Sequence, residues 1–200
     1  MIETPRLLLR RFAPTDASAL QSYRNDPEIA RYQAWPSPLS DDAAADTAFI
    51  YSLQETGQPG WVQTAVVRKQ DGALIGDVGV ELHQNLLQAE LSFALAPQWH
   101  RQGYATEMVT AVINHHFQRG VHRFSASCDA RNIRSAHLLE RVGFRREGLR
   151  PEHTRNINTG EWTDTVVFGL LARHWVSRDG KGPLTAGNDG TADVPPAEAS

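Results

Sequence analysis

Three short stretches carry residue types that could do chemistry. The first, His-Arg-Gln-Gly-Tyr-Ala at 100–105, is a basic, glycine-interrupted turn between a strand-like run at 89–95 and a helix-like run at 104–119. A helix start exposes about four unpaired N–H groups and the positive end of the helix dipole. Gly103 would let such amides approach a ligand closely, and a pyrophosphate suits that arrangement. No G-x-G-x-x-G and no Gly-Lys-Ser/Thr is present, so the turn is neither a dinucleotide fingerprint nor a P-loop. The second stretch holds Asn132 and Ser135, three apart at the head of a helical run. Asn132 is a natural N-cap, with Ser135 an ordinary residue of the first turn. The third is Glu90. Leu91, Phe93 and Leu95 alternate with Glu90, Ser92 and Ala94, so a period of two puts Glu90 on the less apolar face of a strand. Taken alone, it reads as a solvated carboxylate.

The elements that must position these residues alternate between strand and helix. Residues 6–12 read as a first strand, and a helix follows with Thr15 or Asp16 as N-cap. After the proline-rich loop Tyr-Gln-Ala-Trp-Pro-Ser-Pro come a second helix over 41–55 and two strands joined at an Asp-Gly turn, 61–69 and 72–82. In the helix after the basic turn, Ala105, Met108, Val109, Val112, Ile113 and Phe117 keep a 3.6-residue period. A strand over 122–129, a helix over 132–142 stopped by Gly143, and a last strand over 162–172 complete the pattern. This is one mixed α/β domain, 1–176. Residues 177–200 lose periodicity and aromatics, which predicts a disordered tail.

Composition narrows the function classes. The chain has 200 residues and a net charge of −3, enough for one sizeable core. Residues 97–150 hold nine basic against four acidic side chains, whereas 1–96 hold seven against twelve and 151–200 four against seven. An acidic protein with one basic island is a poor nucleic-acid binder but could hold a compact polyanion. No run is long and apolar enough for a membrane span or a signal peptide, so a cytoplasmic protein is expected. The single cysteine, Cys128, reads as a small core residue, and the eight histidines, with His115 and His116 adjacent, show no metal-ligand spacing. No metal is expected.

Four passages in order, Thr-Pro-Arg-Leu-Leu-Leu-Arg-Arg-Phe at 4–12, 90–108, 132–148 and 162–171, resemble the GNAT superfamily of acetyl-CoA-dependent N-acetyltransferases. They are most similar to its RimJ/RimL-like branch, which acetylates ribosomal-protein N-termini. The resemblance implies a twisted, mostly antiparallel sheet flanked by helices and splayed at its middle strands. It implies acetyl-CoA as cosubstrate, held by Arg101, Gln102, Gly103, Tyr104, Ala105 and Thr106 at the pyrophosphate, by a backbone N–H within Phe93, Ala94 and Leu95 at the acetyl carbonyl, and by Asn132 beside the pantetheine. His100 departs from the Gln or Arg of the family's loop pattern. Ser135 is implied to stabilise the departing thiolate and Glu90 to act as base near the acceptor. Tyr32 and Trp35 lie in the loop between the first two helices, which the resemblance implies borders the acceptor pocket; taken alone they could equally be loop packing. An amine attacks the thioester directly, so no covalent nucleophile is needed. The implied acceptor is a protein N-terminal α-amine, with a small amine such as an antibiotic or polyamine as the rival, and a noncatalytic acyl-CoA-binding module as the rival from another class. Dimers are common in the family, so a homodimer is a further expectation.

Overall fold

The computed structural model of the protein describes residues 1–175. Eight strands form one sheet: β1 (Ile2–Glu3), β2 (Leu7–Arg11), β3 (Gly60–Arg68), β4 (Leu74–Leu82), β5 (Gln88–Leu95), β6 (Arg123–Asp129), β7 (Arg145–Arg155) and β8 (Trp162–Leu171). Five helices accompany them: α1 (Ala17–Arg24), α2 (Pro27–Ala30), α3 (Asp41–Leu53), α4 (Tyr104–Phe117) and α5 (Ile133–Val142). The strand order is β1-β2-β3-β4-β5-β6-β8-β7, antiparallel throughout except for the parallel pair β5–β6. A parallel pair needs a long crossover, and here it is α4.

Alternation along each strand divides the core between the two faces of the sheet. Leu7, Leu9, Val66, Val78, Leu91 and Leu95 pack with α4 and α5. Phe12, Leu20, Tyr23, Ala44, Ala65 and Ala94 form the second cluster, beneath α1 and α3. Within that second layer Arg24 Nη2 donates to Asp77 Oδ2 at 3.0 Å, with both side chains about 95% shielded, and the guanidinium lies over the Trp35 ring at 4.4 Å. The pair ties α1 to β4 directly beside Ala94, the register partner of Asp77 on β5.

Three elements leave no periodic signature in the sequence. β1 and α2 are too short to show a period. β7 runs through Arg-Arg-Glu-Gly-Leu-Arg-Pro-Glu-His-Thr-Arg, almost wholly exposed. As an edge strand with a register break between Arg150 and Thr154, it tolerates Pro151 and needs no apolar face. Asp16 stands at the N-cap of α1, but its carboxylate turns to Arg10 and to the Ala13 N–H at 2.8 Å rather than to the helix amides. The tail expected over 177–200 lies outside the described residues.

Candidate active site

The basic turn ends in an unusual backbone. Gly103, the N-cap of α4, has φ 82° and ψ −4°, and Arg101 also has a positive φ, at 60°. A left-handed residue followed by a right-handed one aims successive N–H groups into one concavity that suits an anion. The first helical bond runs from the Glu107 N–H to the Gly103 carbonyl at 3.0 Å. The amides of Tyr104, Ala105 and Thr106 therefore have no main-chain partner among the described residues.

A clamp from the start of the chain fixes this turn. Glu107, in the first turn of α4, accepts from the Thr4 hydroxyl at 2.6 Å, from the Arg6 N–H at 2.9 Å and from Arg6 Nε at 2.6 Å. Arg6 Nη1 donates onward to the Gln102 carbonyl at 2.8 Å, and the guanidinium lies over the Tyr104 ring at 4.3 Å. Burial alone would raise the Glu107 carboxyl, but the hydrogen bonds from Thr4 and Arg6 hold it below the usual range.

The end of β5 supplies an open edge. β5 pairs with β6 only from Gln88 to Leu91, opposite Arg123 to Ala126, and beyond that point the two strands separate. The Ala96 N–H donates to the Ile75 carbonyl of β4 at 2.9 Å. Because successive strand amides point to opposite edges, the N–H groups of Phe93 and Leu95 face the fork. His100 reaches back across it, with Nε2 2.8 Å from the Leu95 carbonyl. Nε2 donates in that contact, since a carbonyl only accepts.

The opposite wall is α5. Asn132 caps it, its Oδ1 accepting from the Ser135 N–H at 3.1 Å. Capping employs the oxygen and leaves the Nδ2 protons for another partner. Burial pushes the thiol of Cys128 up, an effect partly offset by the Ser135 hydroxyl. A thiol in that state is a packing group and not an activated nucleophile.

These pieces meet in one groove of about 1130 Å³. Of the residues singled out in the sequence, Tyr32, Phe93, Ala94, Leu95, Arg101, Gly103, Ala105, Thr106, Asn132 and Ser135 line it. The side chains of four others stand elsewhere. Tyr104 is a core residue, and Gln102 donates back to the Gln98 carbonyl at 2.9 Å. Trp35 donates from Nε1 to the Arg24 carbonyl at 3.2 Å and packs on that guanidinium. Glu90 lies four residues before Ala94, roughly 13 Å along the strand, opposite Glu81 on β4 and Ser125 on β6. Its carboxyl is raised by burial and by the Glu81 charge, with His83 and Arg150 opposing. Thr4, Arg6 and Glu107 carry no functional signal in the sequence, because a glutamate in a first helical turn is commonplace and nothing local marks its partners about a hundred residues away. The contact of His100 with Leu95 is likewise unmarked in the sequence.

The acetyltransferase (GNAT) domain family matches residues 6–145. The uncharacterized N-acetyltransferase YnaD of Bacillus subtilis is 27% identical over 175 residues, spanning 87% of this chain and 98% of the relative. The [ribosomal protein uS5]-alanine N-acetyltransferase of Escherichia coli is 30% identical over 105 residues, 49% of this chain and 53% of that one. Among solved structures, spermidine N-acetyltransferase from Vibrio cholerae, in complex with CoA and spermine, superposes with a TM-score of 0.71 at 21% identity, covering 84% of this chain and 96% of that one. The chain belongs to the GNAT family, and it is an N-acetyltransferase.

Proposed function

We propose that the protein transfers acetyl from acetyl-CoA to a primary amine, with a protein N-terminal α-amine as the acceptor of first choice. One observation carries the reading: the unpartnered amides of the α4 turn and the open edge of β5 line a single groove whose facing wall carries Asn132 and Ser135. The residues fit the donor. The α4 amides would receive the pyrophosphate, the Phe93 or Leu95 N–H would polarise the thioester carbonyl, and the Asn132 Nδ2 is left to meet the pantetheine. The Ser135 hydroxyl stabilises the departing thiolate. Glu90 is the assigned base; given its offset along β5, its proton passes through water. An α-amine titrates near ~8, so this help need only be modest. Tyr32, on the groove wall, and Trp35, behind it, shape the acceptor side. The ribosomal-protein relative supports the α-amine.

The test is release of free CoA thiol from acetyl-CoA, measured with peptides bearing free N-termini, with their blocked counterparts and with polyamines. Turnover confined to free N-termini is the expected result. Turnover of small amines alone would overturn the acceptor assignment. A folded protein that binds CoA and acetylates none of them would overturn both acceptor classes.

A further inference from the structure

The groove is lined by Arg31, Arg101, Arg131, Arg134 and Arg141, and Glu28 is the one acidic residue in that lining. Glu28 belongs to α2, on the wall opposite α5, and its carboxylate accepts from Arg134 Nη1. Their side chains are 53% and 62% exposed, so the contact is a solvated ion pair that exchanges partners easily. Arg131, on the same wall as Arg134, is committed within that wall: it bonds Asp129 at 2.8 Å and Glu161 at 3.1 Å. Arg134 has no second acidic partner among the described residues. It lies in the first turn of α5 and lines the same groove as Asn132 and Ser135.

We propose that Arg134 is a phosphate-contacting residue of the acyl-donor site and that Glu28 stands in for the phosphate until the donor arrives. The inference rests on the donor-site reading above. The phosphates of CoA together carry more charge and more acceptor oxygens than one carboxylate, and the planar fork of a guanidinium matches them. The exchange opens the ion pair between α2 and α5. It leaves the Glu28 carboxylate without its cation in the wall that also holds Tyr32. Donor binding and uptake of a cationic acceptor are then coupled, and each favours the other.

The test is calorimetric titration of CoA at low ionic strength into the wild type, Glu28→Gln, Arg134→Gln and the double variant, with melting temperatures followed alongside. Freeing Arg134 from an exposed pair should tighten CoA binding roughly two- to fivefold in Glu28→Gln. Losing a charge-assisted contact should weaken it at least tenfold in Arg134→Gln. In the Arg134→Gln background Glu28→Gln should then add nothing. An unchanged affinity in Glu28→Gln, or the same tightening in both backgrounds, would overturn the exchange while leaving the donor site standing. A wild type that takes up no CoA would overturn the donor site and the exchange together.

Discussion

Gly103→Val probes the donor site at its most constrained point. The native φ of 82° is left-handed, and a residue with a Cβ gives up roughly 1–2 kcal/mol to stay there. That Cβ would also lie 3.2 Å from Arg6 Nη2, and Arg6 yields because it is the far end of a flexible side chain. In yielding it strains its bond to the Gln102 carbonyl, a contact worth about 1 kcal/mol. The fold should survive with a melting temperature lower by roughly 4–12 °C, taking about 2–4 °C per kcal/mol for a domain of this size. CoA should suffer more. If the chain relieves the strain by turning φ, the amides of residues 104–106 rotate away from the place proposed for the pyrophosphate. Each charge-assisted bond lost is worth roughly 1.5–3 kcal/mol, and tenfold in affinity is about 1.4 kcal/mol. Calorimetry should therefore show CoA binding at least tenfold weaker. A folded Gly103→Val protein with wild-type CoA affinity would refute the placement of the phosphates.

Ser135→Ala should lower kcat with little change in acetyl-CoA binding, because in the proposed mechanism the hydroxyl acts as charge develops on sulfur; a change confined to KM would contradict this. Glu90→Gln should slow turnover most at low pH and least as the amine's own pKa is approached, read from kcat/KM profiles. The same variant should stabilise the fold slightly at neutral pH. Burial raises the Glu90 carboxyl, so its contribution to stability is present below the ordinary glutamate value and lost as pH rises through the raised one. Glu107 has the opposite sign: held low by Thr4 and Arg6, it contributes above the ordinary value and loses that contribution as pH falls through the folded one. Glu107→Gln should accordingly flatten the acid limb of a melting-temperature profile. Asp77→Ala leaves the buried Arg24 cation uncompensated and should cost about 3–5 kcal/mol in denaturant unfolding.

What could be read beforehand was whatever repeats within a few residues. The period of α4, the alternation of β5, the Asn132 cap and the glycine before α4 are local patterns, and each appears where its spacing put it. The paired portion of β5 and β6 was beyond that reach, because register depends on where two distant strands stop matching. The Arg6–Glu107 clamp joins residues 101 apart in sequence. Trp35 illustrates a third limit. An aromatic in a proline-rich loop can face a pocket or pack behind it, and only the buried Arg24–Asp77 pair explains why its ring turned inward. β7 was invisible because its partner is needed for its backbone rather than for a buried face.

Every open sheet has two rims, but the parting of β5 from β6 gives this one a second pair inside its own span, along residues 92–95 and 127–129. Ordinarily such a rim invites another strand and so aggregation. Here α4 and α5 flank it, so the invitation is narrowed to a slender chain bearing its own amides, which would finish the ladder as a strand does. Recognition of that kind is written in the peptide backbone, which substitution cannot erase. On the proposed reading, side chains of the acceptor wall could drift from one amine to another while the donor still met the same main-chain groups. Amide hydrogen exchange at Phe93 and Leu95, fast in the free protein and slowed by CoA, would be the visible trace of that rim being covered.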